Sequence, residues 1–201
     1  MFQTLKIHST VSEEPNISDR ILAKTILRMI PHFVTPNQVT IFRYITIPFI
    51  LFFLIFGHNV SGIILFSISA FSDAVDGALA RTRNQITDWG KMHDPLADKL
   101  LISSVGALVV SIFISFYLIA VIISIEIFLI INAIYKIRKG QKTITALLPG
   151  KIKMILQSFG VSFVLLFIVF PNLSWLLPLA AILLYVSIFF ALLSLIVYRS
   201  I

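Results

Sequence analysis

An all-α integral membrane fold is what this sequence predicts: six transmembrane helices, preceded by a short amphipathic N-terminal helix on the cytoplasmic side. Three observations predict it. The 201-residue chain is 58% hydrophobic and 12% charged, with a mean hydropathy of +1.00, whereas a soluble domain is about one-quarter charged. Six apolar segments follow Pro36, near 38–56, 61–81, 94–115, 118–137, 153–170 and 173–198. Each is long enough for a hydrocarbon core of about 30 Å, which takes roughly 20 helical residues. The charges are also segregated. Connections 57–60, 116–117 and 171–172 hold no Lys, Arg, Asp or Glu, whereas Arg20, Lys24, Arg28, Arg81, Arg83, Lys91, Lys136, Arg138, Lys139, Lys142 and Arg199 lie toward the other side.

That segregation assigns both termini and both long loops to the cytoplasm by the positive-inside rule. It also accounts for the +7 formal charge without a nucleic-acid partner. The chain has no cysteine, which excludes disulfide and thiolate chemistry. Its first residues are polar and lack the apolar run of a signal peptide. The expected organisation is a cytoplasmic segment over 1–36 and a membrane domain over 37–201.

Within the first segment, Ser18 or Asp19 can cap a helix over 19–32. Ile21, Leu22, Thr25, Ile26, Met29 and Ile30 follow helical spacing, and Arg20, Lys24 and Arg28 recur every four residues on another face. Such a helix lies on an anionic membrane surface or packs on the cytosolic end of the bundle. Thr35-Pro36 closes it, and Thr35 or Asn37 opens the first membrane helix. Asn37, Thr40 and Arg43 then fall at i, i+3 and i+6 on one side. An arginine at that depth belongs in the bundle interior or a wet cavity, which favours a lining of the site over a lipid-facing snorkel.

The second and third helices carry the chemistry. Asp73 and Asp76 are spaced i,i+3 near the end of one, and Asp94 and Asp98 are spaced i,i+4 at the start of the next. Each pair therefore projects from one helix face, and a short connection between antiparallel helices brings the pairs together. Carboxylates at a membrane edge are costly and repel one another unless they share a cation. Hard oxygen ligands suit Mg²⁺ or Mn²⁺. Four could hold two such ions roughly 4 Å apart, the arrangement used for displacement at phosphorus. Gly77 and Ala80 leave the helix surface bare beside the aspartates, and Arg81 can pair with a phosphate. Gly90 allows a tight turn before the third helix, and Pro95 suits that helix's first turn. Capping and interfacial salt bridges would explain one or two of the aspartates, Asp94 before Pro95 above all. They do not explain Asp73 and Asp76 near the end of an apolar helix.

These residues carry a resemblance. Asp73-x₂-Asp76-Gly77-x₂-Ala80-Arg81-x₈-Gly90-x₃-Asp94-x₃-Asp98 resembles the signature of the CDP-alcohol phosphatidyltransferase family at every fixed position. Asp94-Pro95-Leu96-Ala97-Asp98-Lys99-Leu100 is similar to its branch of phosphatidylglycerophosphate synthases and eukaryotic-type cardiolipin synthases. So is Pro36-Asn37 with Thr40 and Arg43. The word from Gly150 to Gln157 is similar to GKxKTxxQ of the glycerophosphate enzymes, with Met154 in place of threonine. The resemblance runs from Pro36 to the C-terminus.

The resemblance implies that a hydroxyl attacks the lipid-side phosphorus of CDP-diacylglycerol and CMP leaves. It implies two divalent cations, Mg²⁺ or Mn²⁺, on Asp73, Asp76, Asp94 and Asp98, with Asp98 also the catalytic base. It implies a CDP-lipid site with Asn37, Thr40, Gly77, Ala80, Arg81, Thr87 and Gly90, and a homodimer in a bacterial or archaeal cytoplasmic membrane. A carboxylate near pKa 4 is a weak base, but a cation beside the acceptor hydroxyl makes its proton easier to remove.

Lys151 and Lys153 open the fifth helix. They are either positive-inside residues or, with Arg43, the grip on an acceptor phosphate such as that of glycerol 3-phosphate. The glycerophosphate branch often has an Arg-Glu pair where this chain has Ile125-Glu126, so the acceptor could instead be phosphatidylglycerol or an inositol phosphate. Glu126 either pairs with a buried polar residue or lines the cavity. His93 is either a solvated interface residue or a partner of Asp94. Membrane prenyltransferases also hold diphosphates through two Asp-rich motifs, but on more distant helices of a larger bundle. A cation transporter would need carboxylates along a path across the bilayer, not all at one edge.

Overall fold

The computed structural model describes Pro31 and residues 34–83, 85, 87–138 and 148–199. The expected helix over 19–32 lies outside these residues, as do Lys139 and Lys142. Six α-helices and no strand are present among the described residues. They are α1 (Pro36–Ile55), α2 (Asn59–Thr82), α3 (Asp88–Phe113), α4 (Phe116–Arg138), α5 (Leu148–Val169) and α6 (Leu176–Arg199).

Local chemistry sets the ends that matter for the site. Thr35 and Gln38 form a capping box. The Thr35 hydroxyl accepts from the Gln38 amide, and Gln38 Oε1 accepts from the Thr35 amide at 2.9 Å. Pro36 sits at the first helical position, where a missing N–H costs nothing. Gly57, at φ +78°, turns the chain between α1 and α2.

The start of α3 differs from the sequence reading. Thr87 caps it by accepting from the Gly90 amide at 2.9 Å, so the helix begins at Asp88, six residues before Asp94. Asp94 is therefore not an N-cap, and Pro95 lies inside the helix rather than in its first turn. Gly90 belongs to the first helical turn and makes no loop. An apolar window could not reveal this start, because the first turn of α3 is polar.

Among the described residues, five helices are long and apolar enough to cross a membrane: α1, α2, α3 from His93, α5, and α6 to Leu195. The expected fourth span corresponds to α4, whose 23 residues Phe116–Arg138 open with the apolar run Phe116–Asn132. The chain is built as a membrane bundle, with apolar side chains outward and polar ones inward. On α1, Ile41, Ile45, Phe49 and Phe52 are exposed, while Thr40, Arg43 and Thr46 are buried.

Helix α3 is the hub and contacts α1, α2, α4 and α5, while α5 and α6 pack along each other. Leu101, Val105 and Val109 of α3 form the centre of the core, with Ile50, Phe66, Ile122, Val161 and Leu184 from the other helices. Lipid is as apolar as these side chains, so close van der Waals packing holds such helices together. At Gly160 a Cβ would sit 2.8 Å from Leu184 Cγ. Gly160→Leu should therefore force α5 from α6 and lower stability by about 1–3 kcal/mol. Thermal unfolding in detergent measures this; a parental melting temperature would show the contact to be loose.

Candidate active site

The site forms where the C-terminal end of α2 meets the N-terminal parts of α1 and α3. Arg43 lies at its centre and is fully buried. Its Nη1 donates to Asp73 Oδ1 at 2.9 Å and its Nη2 to Asp76 Oδ2 at 2.8 Å. Nη1 also reaches the Asp94 carbonyl at 3.5 Å. Asp73 is half-exposed, whereas Asp76 is 2% exposed. Charge-assisted bonds from one guanidinium to two carboxylates are strong and directional. The interior placement read for Arg43 is thus what the fold has. Its Nη atoms are turned to the aspartates, and its buried Nε has no partner among the described residues.

The remaining members converge on the same end. The Thr40 hydroxyl donates to Asp94 Oδ1 at 2.6 Å. Asp98, half-buried, is one helical turn further along α3. The Thr87 hydroxyl donates to Asn37 Oδ1 at 2.8 Å, joining the starts of α1 and α3. Gly90 is buried beside them: a Cβ there would stand 3.1 Å from Thr87 Oγ1 and 3.3 Å from Asn37 Oδ1. Its missing side chain makes room, which is a different reason for glycine than a turn. Arg81 folds back over Gly77, where a Cβ would lie 3.3 Å from its Nη2. Ala80 is on the next turn, and its carbonyl accepts from the Gln85 amide at 3.0 Å.

A cavity of about 290 Å³ opens beside this cluster, lined by Thr35, Pro36, Asn37, Gln85 and Thr87. The sequence pointed to Asn37 and Thr87 but not to Gln85 or Thr35, which carry no chemistry-bearing pattern of their own. It also missed Tyr44, whose hydroxyl donates to the His93 carbonyl at 3.2 Å. The His93 ring stacks on Trp89 at 4.0 Å between centroids, and its Nδ1 is 2.9 Å from the Trp89 carbonyl. The His93 ring thus packs on Trp89, and among the described residues no contact joins it to the Asp94 carboxylate.

The lysines expected to act together are separated. Lys151 is exposed, while Lys153 is 2% exposed and forms a close ion pair with Glu126 of α4. Residues two positions apart on a helix differ by about 200° in direction, so the i,i+2 pair Lys151 and Lys153 points to opposite sides of α5. Glu126 is thus the partner of a buried polar residue.

In kind, the donor set fits a divalent cation: hard carboxylate oxygens on facing helices, already gathered about a positive group. In spacing, no three acidic or histidine side chains among the described residues stand close enough together to hold one ion. Arg43 fills the place between Asp73 and Asp76, and Thr40 engages Asp94.

The family model for CDP-alcohol phosphatidyltransferase matches residues 33–193. A Bacillus subtilis protein is 32% identical over 176 residues, covering 79% of this chain and 90% of the relative. A Rickettsia typhi protein is 40% identical over 73 residues, covering 35% of this chain and 41% of the relative. A Wigglesworthia glossinidia brevipalpis protein is 38% identical over 86 residues, covering 41% and 47%. All three bear the name CDP-diacylglycerol–glycerol-3-phosphate 3-phosphatidyltransferase. The chain thus matches about two-fifths of the length of the Rickettsia relative and nearly all of the Bacillus one. With the signature of α2 and α3 inside the matched region, the chain belongs to the CDP-alcohol phosphatidyltransferase family.

Proposed function

We propose that this protein transfers the phosphatidyl group of CDP-diacylglycerol to a hydroxyl of glycerol 3-phosphate, releasing CMP and forming phosphatidylglycerophosphate in phospholipid biosynthesis. The observation that carries the reading is Arg43 holding Asp73 and Asp76 while Thr40 holds Asp94 at one end of the bundle, beside the cavity at Asn37 and Thr87. Family membership and the printed names of the relatives support the donor and the acceptor.

The roles follow from placement. The cavity between Thr35, Asn37, Gln85 and Thr87 receives the cytidine end of the donor, with Gly90 leaving room beside it. Arg81, in the last turn of α2, faces the diphosphate across Gly77. Asp73, Asp76, Asp94 and Asp98 would hold the divalent cations, which supply charge neutralisation at phosphate and a more acidic acceptor hydroxyl. Asp98 takes the proton of that hydroxyl as its oxygen bonds to the lipid-side phosphorus and the bond to CMP breaks. Arg43 holds Asp73 and Asp76 in place from behind. In this reading the bundle sits in a bacterial or archaeal cytoplasmic membrane with the site on the cytoplasmic side, which the apolar outer faces of the helices and the positive-inside distribution of basic residues support. A homodimer belongs to this reading on family grounds.

The test is release of CMP by the purified protein from labelled CDP-diacylglycerol with Mg²⁺ or Mn²⁺, with and without glycerol 3-phosphate. Release dependent on glycerol 3-phosphate is expected. No CMP with any alcohol would remove the activity. Release with phosphatidylglycerol or inositol phosphate alone would move the acceptor, which Ile125 in place of arginine gives reason to include.

A further inference from the structure

We propose that Lys99, rather than Lys153, is the ammonium group that meets the acceptor's phosphate, and that Glu126 positions it. The inference rests on the glycerol 3-phosphate reading above and names the residues that would select for that phosphate.

Lys153 is poorly placed for a ligand. It is buried in α5 and its Nζ is committed to Glu126 Oε1. Drawing it toward a substrate would leave a carboxylate that is 6% exposed without its counter-charge, and an uncompensated buried charge is strongly unfavourable. The other oxygen of Glu126, Oε2, is buried and has no hydrogen-bond partner among the described residues. The Nζ of Lys99 stands 3.6 Å from it, within an ion pair but beyond a hydrogen bond. The three side chains thus form a row across α5, α4 and α3, with Lys153 buried at one end. Lys99, whose side chain is 28% exposed, is the accessible end.

Charge and direction both favour Lys99. Lys153 neutralises Glu126, so the row carries one net positive charge, and it lies where solvent or substrate can reach it. An ammonium has three donors. Glu126 orients the group without a hydrogen bond of its own, which leaves those donors for phosphate oxygens. Lys99 directly follows Asp98, about 100° further round the same helix. A small phosphorylated alcohol with its phosphate on Lys99 would then have its hydroxyl on the neighbouring face of α3, where the base lies. A free ammonium samples many rotamers, whereas a buried carboxylate on the facing helix restricts them and lowers the entropy lost on binding.

Steady-state kinetics in mixed micelles test this. Lys99→Gln should raise KM for glycerol 3-phosphate roughly ten- to hundredfold, the usual weight of a charge-assisted hydrogen bond. KM for CDP-diacylglycerol should stay within about twofold of the parent, because a group that binds only the acceptor leaves the donor term unaltered. Lys99→Arg should restore most of the loss. The double variant Glu126→Gln/Lys153→Met removes both buried charges together, so it should keep a near-parental melting temperature yet still raise KM for glycerol 3-phosphate. A parent that uses glycerol 3-phosphate while Lys99→Gln leaves its KM unchanged would overturn the assignment of Lys99. A parental KM in the double variant would overturn the positioning role of Glu126. A parent that releases no CMP with glycerol 3-phosphate refutes the acceptor itself, which is a separate result.

Discussion

Asp98→Asn should abolish turnover while leaving CDP-diacylglycerol binding largely intact. Asparagine has nearly the shape of aspartate, so the packing of α3 is kept, but its amide cannot accept the proton of the acceptor hydroxyl. Removing a positioned general base costs about 10²- to 10⁴-fold in rate, and the lost carboxylate also weakens the cation site, so a fall of at least about 10³-fold in kcat is expected. In the proposed function the donor is gripped elsewhere, at the cavity lined by Asn37 and Thr87, so its dissociation constant should change little. Single-turnover CMP release and equilibrium binding of a non-reactive CDP-lipid measure the two quantities. If kcat survives within about tenfold, the proton goes to another group; if binding collapses together with kcat, Asp98 chiefly holds the donor and cations.

Arg43→Met should cost the protein more stability than any of the other changes considered. Methionine preserves length and removes the charge. It leaves Asp76, at 2% exposure, without the guanidinium 2.8 Å away. Breaking a buried ion pair from one side costs about 3–5 kcal/mol, which for a chain of this size lowers the melting temperature by roughly 10 °C. Added Mn²⁺ should stabilise the variant more than the parent, because a ligand that binds the folded site offsets its loss by mass action. Arg43→Met/Asp76→Asn, which removes both charges, should recover much of the stability lost. Thermal unfolding with chelator and then with Mn²⁺ distinguishes these cases. A parental melting temperature for Arg43→Met in chelator would mean that water, not Arg43, compensates Asp76.

Much of the fold was legible because membrane helices obey simple rules of length and charge. Six apolar segments, uncharged connections on one side and the Thr35-Pro36 start can be read directly from the residues, and the structure has six helices with Thr35 as the first cap. The fourth segment was read as a helix of membrane length, and the structure has α4 there over 23 residues, Phe116–Arg138. The start of α3 was misjudged because a polar first turn capped by Thr87 leaves no trace in hydropathy.

The same division holds at the site. Spacing alone places Asp73 with Asp76 and Asp94 with Asp98 on shared helix faces, since 3.6 residues per turn fixes which side chains point together. The sequence by itself therefore determined the family signature, the acidic array and the membrane frame around it. Which face of one helix meets which face of another depends on packing across long sequence separations. Only the tertiary structure decided that Arg43 turns its Nη atoms to the aspartates, that Lys153 is occupied by Glu126, and that Lys99 is the exposed end of that row. A buried charge takes the nearest compensating group that the assembled helices offer, and that neighbour comes into existence only when the bundle closes.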